Sequence, residues 1–322
     1  MKILLLHGED ALEPPPEPVL DQIADALRAG GHEVSRHALR DVATLTQAVA
    51  VERPDLVFNL VESFGGRSAM DASVASLLNL LDLRYTGSSH TGLTIAGDKT
   101  LTKKILTFHG IRIPRFATLH RGGVESTADL EFPLIVKPPQ EDASIGITSG
   151  SVVNGITELL ERIDALHREY HAPVLVEEFI DGREFYVSVL GNERAQALPV
   201  AELDMSAFPA GVPRVATFDA KWQEQHADFQ NSRTVFPDDL PAELVAAMQQ
   251  AALDAFHGLR LRDYARIDLR VTDAADIFVI EVNPNCYLER DEVFAQAASR
   301  AGLDYDALIA RIVELASSRY AR

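Results

Sequence analysis

Residues 2 to 6 read as a strand-like apolar run closed by Gly8, and a helical spacing follows at Val19, Leu20, Ile23, Ala24 and Leu27 before Gly30-Gly31. A short run bounded by glycine predicts a buried strand, and apolar positions three and four apart predict the inner face of a helix. The alternation continues with a strand around His32 to Leu39, a helix from Ala43 to Val51, a strand over Asp55 to Leu60 and a helix near Ala72 to Leu81. Tyr85-Thr86-Gly87 reads as a last short strand and turn. Strands separated by helices predict a doubly wound parallel α/β sheet, here as an N-terminal domain over residues 1–92. Its first loop carries Pro14-Pro15-Pro16 where a dinucleotide-binding turn needs glycines, so this sheet is not expected to cradle a dinucleotide.

Beyond residue 92 the pattern becomes α+β. A helix from Lys99 to Phe108 ends at His109-Gly110, a strand covers Phe132 to Lys137, and residues 157–168 form an amphipathic helix. Strands follow at Val174 to Ile180 and Glu184 to Leu190, and two more flank the turn at Thr272 to Asp276. The tail from Glu292 to Ser317 reads as helical, with Leu308, Ile312 and Leu315 on one stripe. The expected divisions are a central unit over 93–180 and a C-terminal unit over 181–322.

Charge narrows the function. The 322 residues carry 48 Asp and Glu against 30 Lys and Arg, a net charge of -18. That field repels nucleic acid and anionic membranes, so any anionic ligand must be held by a few local cations and a metal. Cys286 is the only cysteine, which excludes an intrachain disulfide and a multi-cysteine metal site. With no signal-like start and no long apolar window, the expectation is a cytoplasmic protein without a membrane partner.

The densest chemistry lies in Tyr264 to Arg270 and Ile277 to Asn285. A hairpin centred on Ala274 and Ala275 sets Asp268 opposite Glu281 and Arg266 opposite Asn283, all on one face. Opposed carboxylates repel unless a cation lies between them, and two carboxylates with an amide oxygen suit magnesium. The alternative is a solvated strand face balanced by Arg266 and Arg270. Lys137, at a strand end before Pro138-Pro139 and a polar Ser- and Gly-containing loop, suits phosphate capture or a snorkelling surface role. Lys99 follows Asp98 at a helix start as a second candidate cation. Glu177, Glu178, Phe179, Ile180 and Glu184 form an apolar linker edged by carboxylates, fit for a flat heterocycle and ribose hydroxyls, or an acidic turn.

In order and spacing, Asp98-Lys99, Ile135 to Pro138, Glu177 to Ile180, Glu184, Lys221, Arg266 to Asp268 and Glu281 to Asn283 resemble the D-alanine–D-alanine ligase branch of the ATP-grasp superfamily. The resemblance implies an ATP-grasp fold of two subdomains. It implies that Lys99, Lys137 and Lys221 reach ATP phosphates and that Glu177 to Ile180 hold adenine with Glu184 on ribose. It further implies that Asp268, Glu281 and Asn283 carry two magnesium ions, with manganese as a substitute, while Arg266 stabilises an oxyanion. Ser144, beside Ala143, stands near the position of the family's substrate-orienting serine.

The substrate side departs from the family. Val61-Glu62-Ser63-Phe64-Gly65-Gly66-Arg67 replaces a His-Gly and Gly-Glu-Asp-Gly segment, Trp222 follows Lys221 in place of tyrosine, and Cys286-Tyr287-Leu288-Glu289-Arg290 replaces Pro-Gly-Met-Thr. The expected activity is an ADP-forming ligase that joins a small carboxylate to an amine through an acyl phosphate. Glu289, Asp291 and Glu292 are expected to repel a D-alanine carboxylate. A true D-alanine–D-alanine ligase and a catalytically silent ATP-binding regulator are the alternatives, and a homodimer is compatible with the sequence.

Overall fold

The computed structural model of the chain describes all residues except 9–17, 121–122, 127–128, 139–145, 171–172, 210, 218–222, 224 and 321–322. The N-terminal part runs β1 (Lys2–Gly8), α1 (Pro18–Ala29), β2 (Glu33–Leu39), α2 (Val42–Glu52), β3 (Leu56–Leu60), α3 (Asp71–Leu80) and α4 (His90–Ala96). Its strands form a parallel sheet in the order β2-β1-β3, and Tyr85 adds a single parallel bridge to Val57. Side chains alternate across β1, so its two faces enter different cores. Ile3 and Leu5 pack with α1 and the C-terminal residues Leu308 and Ile312, whereas Leu4 and Leu6 pack with Leu45 and Leu78 of α2 and α3. The start and the end of the chain therefore share one core.

The central part comprises α5 (Lys99–Phe108), β4 (Phe116–His120), β5 (Gly123–Ser126), β6 (Leu134–Lys137), β7 (Val152–Val153), α6 (Ile156–Tyr170) and β8 (Val174–Glu178). Asp98 starts α5 by accepting a hydrogen bond from the Leu101 amide at 2.9 Å, an N-cap that explains why the helix begins at Lys99. The strands form an antiparallel sheet in the order β5-β4-β8-β6-β7.

The C-terminal part contains β9 (Arg183–Gly191), β10 (Gln196–Ala197), β11 (Ala201–Asp204), α7 (Ala227–Gln230), β12 (Arg233–Val235), α8 (Ala242–Gly258), β13 (Asp263–Val271), β14 (Ile277–Pro284), α9 (Val293–Arg300) and α10 (Tyr305–Arg319). The sheet order is β12-β11-β9-β13-β14, with β10 alongside β9. β13 lies inside the sheet between β9 and β14, and its Ala265, Ile267 and Leu269 pack in one core with α8 and are fully buried. The tail read from sequence as one helical stretch is two helices. Gly302 at φ 88 breaks it, and Asp304 caps α10 by accepting from the Ala307 amide at 2.8 Å.

A buried joint ties the N-terminal sheet to this part. Asp263 is fully buried, pairs with Arg319 and accepts from the Gly87 amide at 2.8 Å, while Arg319 donates to the Tyr85 carbonyl at 2.8 Å. Gly87 has φ +89, and a Cβ there would stand 2.3 Å from Asn285 Oδ1, so both conformation and space require glycine. Asp263→Ala is expected to destabilise the protein by about 3 kcal/mol, because it strands a largely buried guanidinium. Urea unfolding reads this, and a loss below about 1 kcal/mol, the worth of an exposed pair, would contradict the joint's role.

Candidate active site

The β13–β14 hairpin sets Arg266 opposite Asn283 and Asp268 opposite Glu281, the pairs read from the sequence. The route to that register differs. Val271 pairs with Ile277 across a turn centred one half-residue earlier, and a bulge between Asp268 and Leu269 then shifts the register toward the strand ends. Bulges re-aim side chains where a site needs them.

Each of the two facing carboxylates has a cation of the protein beside it. Asp268, 1% exposed, takes both ends of the Arg266 guanidinium, with Nε at 2.7 Å and a terminal nitrogen at 2.9 Å. Burial alone would lower the Arg266 pKa, but the Asp268 carboxylate outweighs it and raises it well above the usual range. Arg266 also lies over the Tyr186 ring at 4.8 Å. Glu281 pairs with Lys99 Nζ at 3.0 Å across to α5. Arg270 balances neither of them: it binds Glu184 at 2.8 Å, and Tyr186 donates to the same carboxylate at 3.1 Å.

Lys137 is not an exposed strand-end lysine. Its side chain is 11% exposed and its Nζ donates to Glu177 Oε2 at 3.1 Å. Glu177 lies inside β8, not in the linker, and its other oxygen meets Lys103 Nζ at 3.1 Å. Burial would raise the Glu177 pKa, but the charges of Lys103 and Lys137 overcome it and hold the carboxyl below its ordinary value. Glu178 pairs with Arg115 at the rim. Phe179 and Ile180 follow as half-buried linker residues, with Phe179 against Ile135 and Val215 and beneath the Arg270 guanidinium.

The sequence reading missed Lys103. Its signal was present, because Lys99 and Lys103 are four apart on α5 and so share a face. Both line a narrow cleft with Thr102, Ile280 and Glu281, beside the hairpin bulge. Lys221, Trp222, Ala143 and Ser144 lie outside the described residues.

Among the described residues no three His, Cys, Asp or Glu side chains gather as a metal site. The available set is Asp268, Glu281 and the Asn283 amide, whose buried Nδ2 has no hydrogen-bond partner. Two carboxylates and an amide oxygen are hard donors of the kind magnesium takes, so these residues fit a divalent ion.

A second cleft of about 550 Å³ opens between the ends of β1 and β3 and the chain after β14. Its lining includes His7, Glu62, Ser63, Asn285, Cys286 and Tyr287. Burial raises the Cys286 thiol to about 12, so it is no nucleophile at neutral pH. Glu289, Asp291 and Glu292, expected to face substrate, do not line this cleft, and Arg290 turns away to lie over Tyr305 at 4.4 Å. The carboxylate in the lining is that of Glu62.

Comparison with known proteins agrees with this architecture. The family described as D-ala D-ala ligase C-terminus matches residues 105–314. The uncharacterized protein y4sG of Sinorhizobium fredii is 32% identical, over 95% of this chain and 91% of its own. The D-alanine–D-alanine ligase of Syntrophotalea carbinolica is 33% identical, over 92% of this chain and 90% of its own. In three dimensions the chain is similar to the Bacillus anthracis D-alanine–D-alanine ligase complexed with ATP, with a TM-score of 0.74, 23% identity and coverage of 99% and 98%. The chain thus has the ATP-grasp fold and belongs to the D-alanine–D-alanine ligase family, whose members are ATP-dependent, ADP-forming carboxylate–amine ligases.

Proposed function

We propose that this chain uses ATP and magnesium to join the carboxylate of one small amino-acid or peptide-like substrate to the amine of another. The observation that carries the reading is the convergence of Lys99, Lys137 and Arg266, each on a buried or half-buried carboxylate, where the central and C-terminal sheets meet. A silent regulator has no use for Arg266 beside this set. The reading places the protein in the cytoplasm; among the described residues no helix is long and apolar enough to cross a membrane.

In this mechanism Lys99 and Lys137 hold the phosphates, and Phe179, Ile180 and the Glu184 region border the adenosine. Asp268, Glu281 and Asn283 would hold the divalent ion, which supplies charge neutralisation to the phosphates. The γ-phosphoryl group passes to the substrate carboxylate with ADP as leaving group. The amine, having lost a proton, then attacks the acyl carbon, the new carbon–nitrogen bond forms and phosphate departs. Arg266, desolvated and permanently charged, stabilises the oxyanion of the tetrahedral species. The two domain boundaries expected from the sequence, near residues 92 and 180, divide the chain into the three parts that would supply this cleft.

The second cleft is bordered by the two segments that depart from the family, Glu62 and Ser63 on one side and Cys286 to Leu288 on the other. We therefore expect D-alanine to be a poor second substrate.

Asp268→Asn is expected to abolish turnover and also to lower stability by about 1 to 3 kcal/mol, because Arg266 loses its bidentate partner. Glu281→Gln is expected to abolish turnover with a smaller loss of stability, since its pair with Lys99 is more exposed. ADP release and thermal melts check both, and wild-type turnover in the two variants combined would contradict the metal assignment.

For specificity, ADP release is measured with D-alanine alone and with a panel of dipeptides, diamines and larger amino acids at equal ATP. A better substrate than D-alanine is the expected result. Efficient D-alanyl-D-alanine formation with nothing better in the panel would contradict this expectation.

A further inference from the structure

Glu177 presents two oxygens to two lysines from different elements: Lys103 of α5 at 3.1 Å and Lys137 of β6 at 3.1 Å. The contacts are unequal. Lys137 makes an aligned hydrogen bond, whereas Lys103 Nζ lies at ion-pair distance without hydrogen-bond alignment. Glu177 is 1% exposed and Lys103 only 2%, so neither charge can turn to water. Lys137 sits at the end of β6 and is the more exposed of the two lysines, with its side chain at 11%.

A buried carboxylate cannot be left without a counter-ion, because removing one partner of a buried pair is far more costly than the pair is stabilising. If Lys137 were the sole partner of Glu177, it could reach a phosphate only by stranding that charge. With Lys103 in place, Glu177 stays neutralised when Lys137 turns away. We infer that Lys103 is a positioning residue that keeps Glu177 satisfied and so leaves Lys137 available to a nucleotide triphosphate. The inference rests on the reading of Lys137 as a phosphate ligand. It makes Glu177 a holder of lysines, and not a group that must itself touch the nucleotide.

The test is calorimetry with the magnesium complex of a non-hydrolysable ATP analogue on the wild type, Lys103→Met, Lys103→Met/Glu177→Gln and Glu177→Gln, with thermal melts to report folding. Lys103→Met is expected to weaken binding about tenfold or more, the scale of one charge-assisted hydrogen bond, and in turnover to raise KM for ATP more than it lowers kcat. Adding Glu177→Gln removes the competing charge and is expected to restore most of the affinity, a rescue that a merely structural role for Lys103 would not give. Unchanged binding by Lys103→Met, or a double variant as weak as the single one, overturns the inference alone. If Lys103→Met does not fold, Glu177→Gln carries the test: retained affinity supports the inference and a tenfold loss overturns it. A wild type that binds no analogue overturns the functional reading and the inference with it.

Discussion

Charge pairing among buried and half-buried side chains is the constraint on which the cleft depends. The chain is acidic overall, at -18, so its long-range field opposes an anionic nucleotide. Among the described residues, the cations that could offset this are held by carboxylates: Lys99 by Glu281, Arg266 by Asp268, and Lys137 and Lys103 by Glu177. The pairs keep costly buried charges satisfied and fix the positions of the cations before any ligand arrives. On the proposed reading, binding a triphosphate and a divalent ion is an exchange of partners: Asp268 and Glu281 would turn to the metal and Lys99 and Lys137 to phosphate, while Glu177 stays paired with Lys103.

Such pairing works only if the elements that supply the charges are held in register. β13 does most of this, because it lies between β9 and β14 and carries Arg266, Asp268 and Arg270 on one face and an apolar row on the other. At its start, Asp263 locks Arg319 and the Gly87 turn into one buried joint. The same joint brings Asn285 against the end of the N-terminal sheet, where its Oδ1 accepts from the Ser88 amide at 2.8 Å. The second cleft thus has one wall from the N-terminal sheet and one from the chain after β14.

Much of this was legible in the sequence where the cause is local. Asp98 capping fixes the start of α5, period-two alternation marks β13 and β14, and their short connection sets which side chains oppose one another. The opposed pairs came out right although the turn and the bulge were not read, since two half-residue differences cancel at Asp268. What local pattern does not encode is which distant element supplies a counter-ion. The sequence sets Asp268 opposite Glu281, and only the fold brings Arg266 of the same strand and Lys99 of α5 against them. Lys103 looked like one more helix lysine, and its burial follows only from the packing of α5 on the sheets. The acidic run from Glu289 to Glu292 does not line the second cleft, and Asp291 and Glu292 are exposed.

The chemistry ascribed to the cleft requires that an oxygen of the substrate carboxylate end in inorganic phosphate, because the acyl phosphate breaks at its carbon–oxygen bond when the amine attacks. The most direct measurement uses the best substrate with its carboxylate labelled in ¹⁸O and follows the released phosphate and nucleotide by ³¹P NMR. One labelled oxygen per phosphate, with ADP formed in equal amount, is the predicted result. Unlabelled phosphate, or AMP and pyrophosphate as products, would contradict the account.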